Sequence, residues 1–342
     1  MKILITGGAG FIGSHLAERL LREGRQVSIL DDLNDFYDPA LKCGNLEPIL
    51  DRGGSFHYAD IRSKEAVDRV FDIEAPDAVV HLAARAGVRP SIDAPALYVD
   101  TNITGTLNIL EAMRKHRTPK LVFASSSSVY GSRSRVPFRE SDIVSEPISP
   151  YAATKLAGEH LIYTYSQLFG VSAVALRFFT VFGPRQRPDL AINKFLRLLV
   201  ERKPIPVFGD GSTARDYTYV DDTVAGITAA INLPVRYEVI NLGASSPVRL
   251  SALITTLEQV TGLAAIIDRR PEQPGDVPLT YADVSKAQHL LSYNPSVSVE
   301  TGLSKMYDWY RQQGTPGKQK TEAADLLQML SATRTEYVPL QA

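Results

Sequence analysis

Along the first half of the chain, short apolar runs alternate with stretches of helical period: KILIT at 2–6, QVSIL at 26–30, AVVHLA at 78–83, KLVFAS at 120–125 and VSAVALRF at 171–178. The runs are apolar throughout rather than at every second position, the pattern of strands buried on both faces. Helices between such strands act as right-handed crossovers and make neighbouring strands parallel. The chain is therefore expected to be an α/β protein built on a doubly wound parallel sheet. A further run, YEVINLG at 237–243, follows a helical stretch at 221–231 and is expected back in the same sheet. At 181–215 and 248–312, Pro and Gly are frequent and the apolar runs are short, which predicts a smaller, discontinuous α/β lobe. One domain is thus expected over 1–180 and 216–247, the other over 181–215 and 248–312. Residues 313–342 open with a polar, breaker-rich tail, in which EAADLLQMLSA has the pattern of a short helix.

Composition narrows the classes. With 342 residues, 44% of them hydrophobic and 22% charged, the chain can bury a core large enough for two lobes. Its 37 Lys and Arg against 38 Asp and Glu give a net charge of −1, which provides no global field for nucleic acid or an anionic membrane. Cys43 is the single cysteine, which rules out an intrachain disulfide and a Cys-rich metal site and suits a reducing compartment. The first residues read as a strand rather than a secretion signal, and no apolar run reaches the ~18–20 residues of a membrane span. A cytoplasmic protein is expected, binding neither nucleic acid nor membrane and no metal.

The first apolar run is followed by Thr6-Gly7-Gly8-Ala9-Gly10-Phe11-Ile12-Gly13 and then by a helical run from Ser14 to Arg22. Glycines at 7, 10 and 13 allow a tight turn and bring backbone close enough for a pyrophosphate to rest on a helix N-terminus, whose free N–H groups and dipole favour negative charge. Asp31 ends the next run and supplies an acidic partner for a ribose 2′-hydroxyl. An acid there repels the 2′-phosphate of NADP, so the motif predicts a Rossmann-type sheet binding NAD through Gly7, Gly10, Phe11, Ile12, Gly13 and Asp31. Asp60 and Ile61 are placed against the adenine, and the small residues of Leu82-Ala83-Ala84 let a dinucleotide lie along the backbone. His81, with no metal-like spacing near it, is read as a packed or hydrogen-bonded core histidine.

A second constellation carries chemistry. The run Ser125-Ser126-Ser127-Ser128 follows an apolar strand, and Ser149-Pro150-Tyr151-Ala152-Ala153-Thr154-Lys155 follows later, with Pro150 suited to a first helical turn. Tyr151 and Lys155 then share one helical face. An ammonium beside a phenol, together with a positive nicotinamide, lowers the phenol pKa until Tyr can act as a base near neutrality. A serine at the strand end can hydrogen-bond the same substrate oxygen.

These motifs, with DDLNDFYDPALK (31–42), HLAARAGVRPSI (81–92), FASSSSVYG (123–131), LRFFTVFGPRQRPD (176–189), PVFGDGSTARDYTYVDD (206–222) and QPGDVPLTYADVSKA (273–287), resemble the NAD-dependent sugar epimerase/dehydratase family of extended short-chain dehydrogenase/reductases over about residues 1–312. The resemblance implies that Tyr151 is the base on a sugar 4-hydroxyl, Lys155 its tuner and Ser126 a hydrogen-bonding relay, with Tyr151, Lys155 and Phe178 also against the NAD. It makes the second lobe the nucleotide-sugar domain. There it implies that Arg215 holds the diphosphate, that Val207 and Phe208 meet uridine and that Asp276 lies near the nucleotide ribose. Gln273 stands where some relatives carry an arginine. Helices around 98–116 and 151–168 resemble those through which the family forms homodimers.

Within the family the stretches resemble most the members acting on UDP-glucuronate, which implies interconversion with UDP-galacturonate through a 4-keto intermediate. That intermediate is a β-keto acid, prone to lose carbon dioxide, so its carboxylate must be restrained. The resemblance offers Ser127, Ser128, Thr180 and Arg185 for this, with Arg89 as a further candidate and Arg187 as structural. The alternative substrate is UDP-glucose. Sugar dehydratases place Asp-Glu where Ser127 and Ser128 stand, and decarboxylases of the family carry a Glu in this region. A catalytically silent NAD-binding regulator would have lost Tyr151, Lys155 or Ser126.

Overall fold

The computed structural model describes residues 1–132, 135–271 and 277–312. Its strands are β1 (Lys2–Thr6), β2 (Gln26–Asp31), β3 (Ser55–Tyr58), β4 (Ala78–His81), β5 (Lys120–Ser126), β6 (Ser172–Phe178), β7 (Thr180–Phe182), β8 (Ile205–Phe208), β9 (Ala214–Tyr219), β10 (Tyr237–Leu242), β11 (Pro247–Arg249) and β12 (Ile267–Arg270). Its helices are α1 (Phe11–Arg22), α2 (Pro39–Leu50), α3 (Lys64–Glu74), α4 (Val88–Asp93), α5 (Pro95–Val99), α6 (Gly105–His116), α7 (Pro150–Phe169), α8 (Ala191–Val200), α9 (Val220–Asn232), α10 (Leu250–Thr261), α11 (Ser285–Leu291) and α12 (Val299–Gln312).

Seven strands form one parallel sheet in the order β10-β6-β5-β4-β1-β2-β3. The uniformly apolar runs have their physical reason here. Ile3 and Ile5 of β1 enter one core cluster with Leu16, Leu20 and Phe182, while Leu4 between them enters a second with Phe71, Ile109 and Met113, so both faces of the strand are covered. The fold is the expected Rossmann-type α/β arrangement, and β10 does return to the sheet, beside β6. Strand order reverses between β1 and β4, which opens a crevice at the carboxyl ends of the strands.

Two small sheets stand outside this layer: β11-β9-β7, and β12 parallel to β8. The boundaries expected at 180/181 and 215/216 fall inside β7 and β9, which pair with each other. The helix expected at 98–116 is interrupted by a π-helical turn over Asp100–Thr104. Asn102 in that turn uses its side chain to accept from Arg85 N–H (2.8 Å) and to donate to Arg85 O and Thr154 Oγ1 (both 3.0 Å), tying the loop after β4 to α7. Such widened turns recur at functional sites. The tail 313–342, Gln273 and Asp276 lie outside the described residues.

Candidate active site

A cavity of about 480 Å³ occupies the crevice, within the size range of ligand sites. All the residues expected against NAD line it: Gly7, Gly10, Phe11, Ile12, Gly13, Asp31, Asp60, Ile61, Leu82, Ala83, Ala84, Tyr151, Lys155 and Phe178. Gly7 sits at φ +71°, and a Cβ there would lie 2.7 Å from Ala83 N. A Cβ on Gly13 would lie 2.4 Å from Gly7 O, so only a bare backbone lets α1 start this close to the loop. Gly10 is the N-cap of α1 and brings no capping oxygen, which leaves first-turn amides for an anion.

The Asp31 carboxylate is buried beside this cradle and accepts from Ala9 N–H (3.1 Å) and Leu33 N–H (2.9 Å). Burial pushes its pKa up to about 6 in spite of Lys42 at 3.9 Å. The glycine cradle and the buried acid fit the diphosphate and ribose of NAD. Asp60 is paired with Arg62 at 2.6 Å. His81 is the core histidine expected, held between the hydroxyls of Thr6 (2.6 Å) and Thr106 (3.0 Å), with its pKa driven to about 3 by burial.

At the other end of the cavity, Ser149 caps α7 by accepting from Ala152 N–H at 3.1 Å and Pro150 occupies the first turn, so Tyr151 projects at the helix mouth with Lys155 one turn on. Lys155 Nζ donates to Ala124 O at 2.8 Å and stands over the Phe123 ring; burial lowers its pKa to about 7. Burial raises the Tyr151 pKa, opposed by a hydrogen bond with Ser126 and by the charge of Arg187. Ser126 Oγ also accepts Ser128 N–H and donates to Ser128 Oγ, both at 3.1 Å. Behind this wall a buried pair, Glu159 with Arg177 (2.7 Å), holds Ser125 Oγ at 2.5 Å and joins α7 to β5 and β6.

Ser126, Ser127, Ser128 and Thr180 line the cavity as expected. Arg185 does not. It takes φ +63° and pairs with Glu18 of α1 at 2.6 Å, whereas Arg187 reaches the cavity wall, so the order expected from the sequence, Arg185 in the site and Arg187 structural, is reversed. Arg187 is held by Asp189 (2.7 Å) and lies over the Phe36 ring at 5.0 Å. Arg89 lies over Phe208 at 5.1 Å, and these two, with Val207 and Arg215, sit outside the lining of this cavity. Sequence reasoning also missed Phe36, Tyr37, Lys42, Arg85 and Thr101 on the lining. Phe36, Tyr37 and Lys42 fall in DDLNDFYDPALK and Arg85 in HLAARAG, stretches that already carry Asp31 and Leu82-Ala83-Ala84, whereas Thr101 stands outside both.

A family model described as the NAD dependent epimerase/dehydratase family matches residues 3–243. A UDP-glucuronate 4-epimerase of Thermodesulfobacterium geofontis is 45% identical over 311 residues, spanning 90% of this chain and 96% of that protein. Among solved structures, UDP-glucuronic acid 4-epimerase from Bacillus cereus in complex with UDP-glucuronic acid and NAD is similar at a TM-score of 0.86 and 39% identity, over 92% of this chain and 100% of that one. UDP-glucose 4-epimerase from Thermotoga maritima, with UDP-glucose, has a TM-score of 0.86 at 34% identity, over 92% and 99% of the two chains. With its glycine cradle, buried acid and Tyr151–Lys155 pair, the chain belongs to the NAD-dependent epimerase/dehydratase family.

Proposed function

We propose that this protein is a UDP-glucuronate 4-epimerase, interconverting UDP-glucuronate and UDP-galacturonate through a 4-keto intermediate. The carrying observation is that Arg187, whose charge acts on Tyr151, lines the same cavity as Ser127, Ser128 and Thr180. A fixed guanidinium with three hydroxyls is a carboxylate site. A neutral sugar has no use for the charge, and this separates the UDP-glucose reading, which shares the fold. The activity named for the Thermodesulfobacterium and Bacillus relatives supports the same substrate.

Gly7, Gly10, Gly13 and Asp31 would hold the cofactor, which when bound supplies a reversible hydride acceptor for carbon 4. Tyr151 Oη takes the proton of the 4-hydroxyl and returns it from the same position, relayed through Ser126. Because burial alone raises the phenol pKa, the base needs charged Lys155 and the nicotinamide cation beside it. Arg187 and the three hydroxyls keep the carboxylate in the plane of the ketone, where the bond to carbon dioxide cannot align with the carbonyl π system.

The small lobe is the nucleotide-sugar domain, with Arg215, Val207, Phe208 and Asp276 assigned to the uridine diphosphate. Val99 of α5 and Leu107 of α6 are exposed on helices that pack on α7, which supports a homodimer through α5, α6 and α7. With one buried, unpaired cysteine, the protein is assigned to the cytoplasm. Among the described residues no helix is long and apolar enough to cross a membrane.

The test is incubation with UDP-glucuronate, and separately with UDP-glucose, without added NAD, with anion-exchange separation of products. UDP-galacturonate alone is expected. UDP-galactose would replace this reading with the neutral-sugar one, and carbon dioxide would overturn the restraint assigned to Arg187.

A further inference from the structure

We infer that Glu18 and Arg185 form a clasp that sets the position of Arg187, making Glu18, on the cofactor helix α1, a positioning residue for recognition of the sugar carboxylate. The inference rests on the carboxylate reading above. It starts from the residue that the sequence misplaced. Arg185 adopts φ +63°, a backbone conformation that a long L side chain holds only where its surroundings enforce it.

Two contacts supply that enforcement, both from α1. Glu18 Oε1 lies 2.6 Å from Arg185 Nη2, with both side chains largely buried, and His15 Nε2 donates to Pro184 O at 2.9 Å. Burial lowers the His15 pKa, so the ring is neutral and carries its proton on Nε2 for that bond. Glu18 Oε1 and Arg185 Nη1 are buried without an aligned hydrogen-bond partner among the described residues, which makes the pair an electrostatic contact rather than a directional one.

Successive residues of the loop then point three ways. Arg185 turns to α1. Gln186 is buried and spans β7 and α8, donating from Nε2 to Val181 O (2.9 Å) and accepting Asn193 N–H (3.0 Å). Arg187 turns into the cavity. Gln186 and the Asp189 pair bound the play of Arg187, and the turn at Arg185 sets the direction in which the chain reaches them, so opening the Glu18–Arg185 contact shifts Arg187 by the play those anchors allow. The same α1 presents its N-terminus to the cofactor diphosphate, so the carboxylate anchor hangs from the element that seats the cofactor.

The experiment is calorimetric binding of UDP-glucuronate, and of UDP as the carboxylate-free reference, to the NAD-saturated enzyme. E18Q is expected to weaken UDP-glucuronate about fivefold, with UDP changed less than about twofold. E18Q/R187A should bind no more weakly than R187A, since residues acting through one another are not additive. The charge-swapped E18R/R185E should recover part of the affinity, and R185K serves if E18Q does not fold. Equal weakening of both ligands by E18Q, or additivity with R187A, overturns the clasp. If R187A itself fails to discriminate UDP-glucuronate from UDP, the carboxylate reading falls. If R187A discriminates and E18Q does not, the clasp alone falls.

Discussion

The two ends of the cavity are built differently. At the cofactor end, Gly7, Gly10, Phe11, Ile12 and Gly13 lie within one short stretch and act through backbone amides and the absence of Cβ atoms. At the end proposed for the sugar, Ser126, Ser127, Ser128, Tyr151, Thr180 and Arg187 come from three separate stretches, and the proposed chemistry uses their side chains. A backbone motif carries its geometry wherever its residues fold as strand, turn and helix. A side-chain constellation exists only once distant segments have docked and each side chain has been aimed.

The sharpest break of the comparison is at the chemical step. Tyr151→Phe should lower kcat by about 10²–10⁴-fold, the usual worth of a positioned base, while NAD released on denaturation stays at one per chain. Undiminished turnover would remove Tyr151 from its role. The cofactor end should fail in the opposite sense. In Gly13→Ala the new Cβ meets Gly7 O at 2.4 Å, backbone that cannot step aside, so the loop must open. NAD should be lost on gel filtration with affinity down by about 10²-fold, roughly twice the free energy of a tenfold change, while a UDP-agarose column still retains the protein.

A smaller effect separates function from framework within the sugar end. Arg187→Ala removes a charge-assisted contact of about 1.5–3 kcal/mol, so KM for UDP-glucuronate should rise about ten- to a hundredfold. Arg187→Lys should recover only part of this, because an ammonium lacks the planar fork. An unchanged KM would return Arg187 to the structural role expected from sequence.

That expectation shows where sequence reading stops. The apolar runs announced β1, β2, β4, β5, β6 and β10 because strands covered on both faces leave a plain signature, and the glycine motif placed the cofactor loop. The short strands β7, β8, β11 and β12, of three or four residues, have too few positions for a period. Arg185 and Arg187 stand two apart in GPRQRPD and look interchangeable. What separates them is the positive φ at Arg185 and the carboxylate of Glu18, remote in sequence and visible only after folding. The π turn at Asp100–Thr104 was hidden likewise, since its cause is Asn102 bonding to Arg85 and Thr154 across the fold.

The mildest prediction concerns the group that joins the two ends, Lys155, whose ammonium costs stability where the chemistry needs it. Its pKa falls from 10.5 to about 7 through burial alone. Between those values the unfolded chain binds a proton that the folded one does not, so stability rises with pH across the window, by at most about 1.4 kcal/mol per pH unit. His81 and Asp31, with folded pKa values of about 3 and about 6, have finished titrating below the window. Lys120, lowered to about 8, adds a slope of the same sign but is untouched by a change at position 155. Urea unfolding of cofactor-stripped protein between about pH 7 and about pH 9 should therefore show stability rising in the parent and rising less in Lys155→Met, with the methionine variant the more stable at the lower pH. Parallel slopes would mean that Lys155 keeps an ordinary pKa without cofactor, and the tuning of Tyr151 would then need no relief from burial when NAD arrives.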